Sequence, residues 1–566
     1  MLATANSDVD LNDCELPGIS VPARCGKYQV YENRTAAAGR KISLRVVVIP
    51  ATGDERQSDP VVFFNGGPGG STVSMAQGMV GMRAADLERR DFVFIDYRGT
   101  GESNPLFCPY QKERQRGIAA ALESFLPVDQ IDECYAALSA EADLSQYNTP
   151  MIVDDVAEVV QALGYGQVNL WGGSYGTRAV QVFMRRHPQL VRTAVMEGVT
   201  PTDARVPVTF AHDAQAALDG WLRECADDPA CRQAFPDPAA DLATVLKALD
   251  AGPKQAQVSD PQSGDPATLA LTRNAMVQTL RYMLYNSMSA LEIPAYLNAA
   301  ANDNWQPLAQ SAYTVGSFLT GSMPDGIYLS VTCPEDVSRI GPNAVAIQRG
   351  FLGAFRLHQQ LGACAKWYKQ PMPASFYRPV ESSIPTLIFS GEHDPVTPAR
   401  FADGVQEFLV NSRHVIVPHG GHSWFGLQDV ECLGALQSQF LDSATLDGLE
   451  VDACLNTIQR PPFMLSIPTD EVIELSSDQL QAFSGHYHDD QGGFSIDISV
   501  SDNALIATIG EDRLQLRPVT PTRFKVEGMP PGNYVEFPEV DGQQRLHILR
   551  SGVIQQELSK GAEDRK

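Results

Sequence analysis

The most informative stretch of this sequence is Val168-Asn169-Leu170-Trp171-Gly172-Gly173-Ser174-Tyr175-Gly176. An apolar run typical of a buried strand leads into a Gly-x-Ser-x-Gly pattern, and a helical run, Thr177–His187, follows it. Small residues around the serine allow a tight strand-to-helix turn that exposes the hydroxyl at the carboxyl end of the strand. The backbone N–H of Tyr175 then points toward a developing oxyanion. The pattern predicts that Ser174 is a nucleophile and Tyr175 an oxyanion donor; the alternative is a glycine-rich turn whose serine has no chemical role.

A serine nucleophile needs an acid and a base from later in the chain. The apolar run Thr386–Ser390 predicts a strand that ends shortly before Asp394, and His414–Val417 predicts the next strand. The carboxyl ends of parallel strands meet at one edge of a sheet, so both of the following loops are expected beside Ser174. The order serine, acid, histidine is the one that accompanies this kind of turn. The predicted acid is Asp394.

Four histidines compete for the role of base: His393, His414, His419 and His422. His393 adjoins the acid and His414 lies within a predicted strand, so neither is well placed. His422 lies where the loop turns back into a helix and is the predicted base, with His419 as the alternative. A His-x-x-His pair is also a metal-binding spacing, but no third ligand lies nearby and no H-E-x-x-H or EF-hand pattern is present. The sequence therefore predicts neither a metal nor a cofactor.

The second oxyanion donor is expected in a glycine-rich loop after an early strand. The segment Asn65-Gly66-Gly67-Pro68-Gly69-Gly70-Ser71 follows the apolar run Val61–Phe64 and fits this position. Its glycines let backbone amides approach a substrate closely. Gly67 is the predicted donor and Gly66 the alternative. The rival interpretation, a phosphate-binding loop, is disfavoured because no Lys-Ser or Lys-Thr follows.

Length, charge and hydropathy exclude several classes of protein. The chain has 566 residues, more than one hydrophobic core usually supports, so two or three domains are expected. It carries 43 Lys and Arg against 68 Asp and Glu, a formal net charge of −25 that would repel a phosphate backbone. No apolar run approaches the ~20 residues that span a bilayer. We therefore expect no nucleic-acid partner and no membrane span.

The cysteines indicate the compartment. The ten cysteines fall into five successive close pairs, which favours five local disulfides in an oxidising compartment. The predicted pairs are Cys14–Cys25, Cys108–Cys134, Cys225–Cys231, Cys333–Cys364 and Cys432–Cys454. Sequence alone leaves the connectivity open, and ten buried thiols in a cytosolic enzyme are the alternative; the lack of any Cys-x-x-Cys disfavours zinc. We expect a secreted or periplasmic protein whose signal peptide has been removed from this chain.

Three regions of the chain differ in pattern. From about Ser43 to His422, short apolar runs alternate with helical stretches, which predicts an α/β fold with a mostly parallel sheet. This alternation lapses after Thr200, where long helices such as Ala211–Ala226 and Ala275–Ala301 are expected to form a lid. Beyond about Ser466, short alternating runs and turn signals predict an antiparallel β module. The predicted domains are a core of residues 14–200 and 381–460, a lid of residues 201–380 and a C-terminal β domain of residues 466–566.

Several motifs together resemble one family. They are Gly66-Gly67-Pro68-Gly69-Gly70, Asp96-Tyr97-Arg98-Gly99-Thr100-Gly101-Glu102-Ser103, Gly172-Gly173-Ser174-Tyr175-Gly176-Thr177, Gly391-Glu392-His393-Asp394-Pro395-Val396-Thr397-Pro398 and Gly420-Gly421-His422. From about Cys25 to Cys454 the chain is similar to the secreted proline iminopeptidase and tripeptidyl aminopeptidase branch of the α/β-hydrolases. Asn65, where the family usually has histidine, resembles the secreted tripeptidyl-type members. The resemblance implies an α/β-hydrolase fold with the triad Ser174, Asp394 and His422, while the C-terminal module is similar to small, lipocalin-like β-barrels.

The resemblance implies an aminopeptidase, which must recognise a free N-terminal ammonium through carboxylates near the acyl site. The candidates are Glu197, Glu335 and Asp336, each of which has a purely structural role as its alternative. Without such a site, the same triad would serve a carboxylesterase or lactonase. A binding protein on a hydrolase fold is the third alternative, although the intact order of serine, acid and histidine argues against it. The expected partner is a small peptide or ester, and the oligomeric state stays open.

Overall fold

Two large sheets organise the computed structural model, which describes residues 9–114, 126–260, 263–489, 494–510 and 512–561. Its strands are β1 (Leu11–Leu16), β2 (Ile19–Tyr31), β3 (Lys41–Ile49), β4 (Val61–Phe64), β5 (Phe92–Ile95), β6 (Val168–Gly173), β7 (Val191–Glu197), β8 (Lys254–Ser259), β9 (Pro266–Leu271), β10 (Thr386–Gly391), β11 (Ser412–Val417), β12 (Gly485–His488), β13 (Ser495–Ser501), β14 (Ala504–Ile509), β15 (Asp512–Pro518), β16 (Arg523–Val526), β17 (Asn533–Glu536), β18 (Glu539–Val540), β19 (Gln543–Arg550) and β20 (Val553–Lys560). The first sheet has the order β1-β2-β3-β5-β4-β6-β7-β10-β11. All pairs from β5 to β11 are parallel and the first three pairs are antiparallel. The predicted, mostly parallel sheet is confirmed.

The α-helices of the described residues surround this sheet and build the lid. In chain order they are α1 (Ala76–Met82), α2 (Ala84–Leu87), α3 (Pro109–Arg114), α4 (Ile131–Glu141), α5 (Thr149–Ala162), α6 (Tyr175–Arg186), α7 (Phe210–Asp227), α8 (Pro229–Ala234), α9 (Pro238–Asp250), α10 (Arg273–Met283), α11 (Ser287–Ala290), α12 (Ile293–Ala301), α13 (Gln306–Ser322), α14 (Asp325–Glu335), α15 (Phe355–Ala365), α16 (Ala399–Gln406), α17 (Glu431–Ser443), α18 (Val451–Leu455) and α19 (Ser477–Gln481). None of these helices combines the length and the apolar character that crossing a membrane requires.

The central strands are covered on both faces, as their continuous apolar sequences predict. Val62 and Phe64 of β4 belong to the hydrophobic core on one face. Phe63 of the same strand belongs to the core on the other face, together with Phe92 and Phe94 of β5. Because successive side chains of a strand alternate between faces, a strand buried on both sides must be apolar throughout. This packing holds the carboxyl ends of β4 and β6, where the predicted nucleophile and oxyanion loop lie, in a rigid frame.

Two strands at the N-terminus were not predicted. β1 and β2 extend the sheet on its antiparallel side, before the first strand that the sequence indicates. β2 alternates between exposed and buried residues, and its sequence includes charged residues and Pro22. A strand with one wet face gives a much weaker hydropathy signal than the buried strands β4 and β5. The disulfide Cys14–Cys25 joins β1 to β2.

The lid region contains helices α7 to α15, together with an unpredicted antiparallel hairpin of β8 and β9. The predicted helix Ala211–Ala226 lies within α7. The single helix predicted over Ala275–Ala301 is wrong, because three helices, α10, α11 and α12, occupy this range. The Asn286 side chain accepts a hydrogen bond from the Ser289 N–H and starts α11. Pro294 in the first turn of α12 starts the third helix, since proline fits a helix start and breaks a helix interior.

The C-terminal sheet has the order β17-β16-β15-β14-β13-β12-β20-β19-β18, and an additional pairing of β17 with β19 closes it into an antiparallel barrel. Its interior is apolar, with Leu505, Leu516, Leu546 and Leu558 fully buried. The predicted C-terminal β domain is confirmed as a closed barrel. The barrel contacts the lid through Arg550, which forms two 2.8 Å hydrogen bonds with the buried Glu292 carboxylate of the segment before α12.

The cysteines form five disulfides, and each joins the two successive cysteines that the sequence pairs together. Cys108–Cys134 lies in the core region, while Cys225–Cys231 and Cys333–Cys364 lie in the lid. Each bond closes a short loop, so each constrains the unfolded chain locally rather than joining distant parts of the fold.

Candidate active site

Ser174 occupies a strained turn between β6 and α6. Its φ of 54° and ψ of −124° lie outside the regions that ordinary residues prefer, and such a conformation costs about 1–3 kcal/mol. The Ser174 N–H donates to the Glu197 carbonyl oxygen at 2.8 Å, which ties the turn to the end of β7. Gly176 is required because a Cβ there would lie 2.0 Å from the Phe64 carbonyl oxygen. The predicted strand–turn–helix geometry is therefore present at Ser174.

An acid–base pair lies in the loops after β10 and β11. Nδ1 of His422 lies 2.8 Å from Oδ2 of Asp394. The Thr397 hydroxyl donates to the same oxygen at 2.7 Å, and its Oγ1 lies 3.0 Å from the histidine Nδ1. The N–H groups of Val396 and Thr397 donate to the other carboxylate oxygen at 2.7 and 2.9 Å. Burial alone would raise the pKa of Asp394, but His422 and these hydrogen bonds outweigh it and hold that pKa below its ordinary value.

The end of β7 brings the predicted nucleophile and base into one site. Glu197 accepts the Ser174 N–H, and a Cβ on the next residue, Gly198, would lie 3.1 Å from Cε1 of His422. The imidazole also packs edge-on against the Tyr285 ring, with centroids 5.1 Å apart. Tyr285 follows α10, so the lid contributes directly to the wall around the imidazole. These contacts fix the histidine ring between β7 and the lid.

The predicted oxyanion donors differ in whether their N–H groups already form a hydrogen bond within the protein. Gly66 is in contact with the nucleophile, since a Cβ there would lie 3.0 Å from the Ser174 Cβ. Its N–H, however, donates to the Asn65 side-chain oxygen at 2.7 Å. Within the described part of the chain, the N–H groups of Gly67 and Tyr175 form no hydrogen bond. An oxyanion is stabilised by N–H groups that have no other acceptor, and those of Gly67 and Tyr175 lie next to the serine turn. This favours Gly67 over Gly66 as the partner of Tyr175.

The other histidines are engaged elsewhere. Nε2 of His393 and Nδ1 of His419 lie 2.7 and 2.9 Å from the same oxygen of Glu224 on α7. These hydrogen bonds overcome the effect of burial and lower the pKa of Glu224 to about 2, and Glu224 in turn raises the pKa of His419. His414 lies between Asp403 and Ser390. None of these three imidazoles forms a hydrogen bond with the Asp394 carboxylate, so the geometry favours His422 as the base over His419.

One group among the described residues has the spacing of a metal site: Glu224, Glu392 and His393, with their ligand atoms within 4.8 Å of one another. Glu224 and His393 already form a hydrogen bond, and Arg460 forms an ion pair with Glu224 at 2.8 Å. A cation would therefore have to compete with a resident guanidinium. The group joins the lid helix α7 to the loop that carries Asp394.

Glu335 and Asp336, two of the candidates for binding a substrate ammonium, have partners within the fold. Both are buried, and both pair with the buried Arg178 of α6, at 3.3 and 2.8 Å. Glu335 also accepts the N–H and hydroxyl of Thr149, and that hydroxyl bonds the Tyr175 hydroxyl. Burial raises the pKa of Glu335 to about 7, against the opposing effect of Arg178. This network connects the lid helix α14 to the serine turn and so has a structural role.

Glu197 also has internal partners. Its carboxylate accepts hydrogen bonds from Trp171 at 3.3 Å and from Gln437 at 2.8 Å. Burial raises its pKa despite these hydrogen bonds and the charge of Arg83. Trp171 belongs to the core on the face of the sheet that α17 covers. The side chain therefore serves the packing of α17, while its backbone carbonyl supports Ser174.

Two residues of the site were missed by the sequence analysis. Thr397 lies three residues after the acid, within the Gly391–Pro398 motif. This short separation from Asp394 is the sequence signal that could have identified it. Tyr285 lies in the lid, more than a hundred residues before His422, and no local pattern indicates their contact.

The fold, the strained serine and the Asp394–His422 pair together define a serine hydrolase of the α/β type. A family model described as the alpha/beta hydrolase fold matches residues 59–427, more than half of the chain. The protein therefore belongs to the α/β-hydrolase family.

Curated relatives support the resemblance that the motifs indicate. The chain is 25% identical over 418 residues to the serine protease Hip1 of Mycobacterium tuberculosis, covering 68% of this chain and 78% of that protein. It is 24% identical over 493 residues to a tripeptidyl aminopeptidase of Streptomyces lividans, covering 81% and 88%. A solved proline iminopeptidase from Mycobacterium smegmatis is 17% identical with a TM-score of 0.36, and the match covers 74% of this chain and 98% of that one. The chain is thus a hydrolase with peptidase-named relatives.

Proposed function

We propose that this protein is a serine aminopeptidase that releases N-terminal residues or short peptides through an acyl-enzyme. One observation carries the catalytic part of the proposal. The end of β7 lies against both the strained Ser174 and the His422 ring, and the buried, ionised Asp394 holds Nδ1 of that ring. The names of the relatives, a serine protease and a tripeptidyl aminopeptidase, support peptides as the substrate class.

In the proposed reaction, Ser174 Oγ attacks the carbonyl carbon of the scissile amide while Nε2 of His422 takes the hydroxyl proton. Asp394 keeps the Nδ1 proton in place and stabilises the imidazolium, with Thr397 fixing the carboxylate. The negative charge on the carbonyl oxygen is accepted by the Gly67 and Tyr175 N–H groups. His422 then passes its proton to the leaving amine, and a water attacks the acyl-enzyme by the same route in reverse. Acid, base and acceptor all come from this chain, so the proposed mechanism uses no cofactor.

A carboxylesterase or lactonase is the second candidate, and a specific observation favours it. Glu335 and Asp336, two candidates for binding an ammonium, both pair with Arg178, and the Glu197 carboxylate accepts hydrogen bonds from Trp171 and Gln437. An aminopeptidase on this fold would need another acceptor for the substrate amine. Ester hydrolysis has no such requirement, because it uses only the triad and the oxyanion hole.

The experiment compares aminoacyl and tripeptidyl arylamides, their N-acetylated forms and short acyl esters on one preparation of the protein. The aminopeptidase proposal predicts that N-acetylation lowers kcat/KM by about 10-fold or more. This is the loss expected when one hydrogen bond from the charged substrate ammonium is removed. Unchanged kcat/KM after acetylation, or turnover of the esters alone, would reject the aminopeptidase and leave the esterase. The Ser174→Ala variant is the control for background hydrolysis.

We also propose that the protein works outside the cytoplasm. Five disulfides distributed over the core and the lid are typical of an oxidising compartment. Thiol titration of protein taken from the cells and the medium that produce it tests this proposal. Five intact disulfides in exported protein are expected, and ten free thiols in a cytosolic pool would contradict it.

A further inference from the structure

Arg281, on the lid helix α10, is buried and has no counter-ion among the described residues. Four arginines rank among the largest fully buried side chains of the described residues: Arg90, Arg98, Arg178 and Arg281. The first three each form ion pairs with aspartate or glutamate at 2.6 to 3.3 Å. Arg281 has no such pair with any described carboxylate, and its Nε and Nη2 have no hydrogen-bond partner there. A buried cation without its anion is a costly arrangement, so this guanidinium requires an explanation.

Aromatic rings account for only part of its environment. The Arg281 guanidinium carbon lies 4.0 Å from the ring centroid of Phe210, and 5.6 and 5.4 Å from those of Tyr282 and Tyr285. Cation–π contacts of this kind favour a guanidinium, and Tyr285 is also within hydrogen-bonding reach of it. Nε and Nη2 are still left without an acceptor among the described residues. The planar fork of N–H donors is the geometry that binds a carboxylate through two parallel hydrogen bonds.

A second buried polar side chain lies on the same side of the helix. Gln278 is 9% exposed, and neither its Nε2 nor its Oε1 has a hydrogen-bond partner among the described residues. Residues three apart in a helix are neighbours on its surface, so Gln278 and Arg281 present unused donors and acceptors together. Buried polar groups in folded proteins are almost always satisfied, which makes two adjacent exceptions a sign of an absent ligand or solvent.

This site lies next to the proposed catalytic histidine. Tyr285, one turn after Arg281, packs edge-on against the His422 ring, and its own ring stacks on Tyr282 at 4.7 Å. Only one aromatic side chain therefore separates the guanidinium from the imidazole. Tyr282 and Tyr285 are both partly exposed, so this wall of the lid borders the solvent.

We propose that Arg281, assisted by Gln278, binds a carboxylate of the substrate, so that the enzyme favours substrates with a negative charge close to the scissile bond. The carboxylate belongs either to an acidic residue on the acyl side or to the C-terminus of a short leaving peptide. Arg281 is then a specificity residue, and its missing counter-ion is supplied by the substrate. This inference rests on the proposed hydrolase function, but it does not depend on the choice between peptide and ester.

The experiment measures kcat/KM for matched pairs that differ only in charge. The first pair is a glutamyl and a glutaminyl arylamide, which tests the acyl side. The second is trialanine and its C-terminal amide, which tests the leaving side. The third is 4-nitrophenyl hydrogen adipate and its methyl ester, which tests the site if the protein proves to be an esterase. We expect the charged member of at least one pair to be favoured about 10- to 100-fold, the value of a charge-assisted hydrogen bond.

The Arg281→Gln variant should lower kcat/KM for the charged member to that of its neutral partner and change the neutral substrate less than threefold. Arg281→Lys should retain part of the preference, because it keeps the charge and loses the fork. Arg90→Gln, a buried arginine remote from the site, should leave the preference intact. Equal kcat/KM within all three pairs for the native protein would overturn the proposal without any variant. A failure of Ser174 to react with a fluorophosphonate would instead overturn the hydrolase function itself, together with this proposal.

Discussion

Replacing Gly198 with alanine should impair catalysis through the histidine. Gly198 has a φ of +66°, and a Cβ there would lie 2.8 Å from Oγ1 of Thr397 and 3.1 Å from Cε1 of His422. Ordinary contacts of a Cβ lie at 3.4–4 Å, so the ring and the threonine must both move by several tenths of an ångström. Those two side chains hold Asp394 at 2.8 and 2.7 Å. The methyl group therefore acts directly on the acid–base pair.

The size of the effect follows from two separate costs. A left-handed conformation costs a residue with a Cβ about 1–2 kcal/mol, which lowers stability but not kcat. A displacement of about 1 Å in a catalytic group costs ~100-fold in rate, so a shift of several tenths of an ångström is expected to lower kcat about 10-fold or more. Gly198→Ala should therefore combine a modest loss of stability with a large loss of kcat.

Gly164→Ala is the matched control. Gly164 follows α5 with a φ of +83°, and a Cβ there would meet no atom within 4 Å. It carries the same backbone strain without the contact with His422, so its kcat should equal that of the native protein. The assay measures kcat on the best ester or arylamide, with thermal unfolding midpoints for all three proteins. If Gly198→Ala keeps a kcat within twofold of Gly164→Ala, the packing of the histidine against β7 does not matter for catalysis.

Three further predictions concern stability. Glu224→Gln should destabilise the protein most between pH 4.5 and 6.5, where Glu224 and His419 are both charged. Because the folded pKa of Glu224 is lowered to about 2, this difference should shrink as the pH falls toward 2, and a pH-independent difference in thermal midpoint would contradict it. Arg178→Met leaves Glu335 and Asp336 buried without a cation and should cost about 3–5 kcal/mol in denaturant unfolding; a loss below about 1 kcal/mol would refute the structural role of the network. Replacing both Cys333 and Cys364 by alanine should cost about 2–4 kcal/mol, and an unchanged midpoint would show that this bond contributes little.

Much of the site is predictable because its proposed catalytic residues lie in short, local sequence patterns. The turn at Ser174 needs small neighbours within two residues, and the acid lies a few residues after a clearly apolar strand. The parallel order of the sheet then brings the loops together without further information. For these reasons the sequence alone selects Ser174, Asp394 and His422 and ranks His419 below His422.

Other features depend on contacts between distant residues, which a single sequence does not encode. Glu335 looks like a free acid in the lid, yet Arg178, 157 residues earlier, neutralises it. Tyr285 becomes part of the site only because α10 folds over the imidazole. The sequence does not indicate β2 because one face of this strand is exposed to solvent. It predicts one helix in place of α10, α11 and α12 because the helical propensity continues through the capping residue Asn286. The sequence thus predicts the proposed reacting groups but not the residues that position them.

The most direct test of the account is the reaction of the folded protein with a fluorophosphonate, followed by mapping of the modified peptide. We expect one adduct, on Ser174, with labelling abolished in Ser174→Ala. We also expect labelling to be slowed at least 1,000-fold in His422→Ala, since loss of a triad member typically costs ~10⁴–10⁶ in rate. An adduct on another residue, or undiminished substrate turnover by Ser174→Ala, would contradict the assignment of Ser174 as the nucleophile.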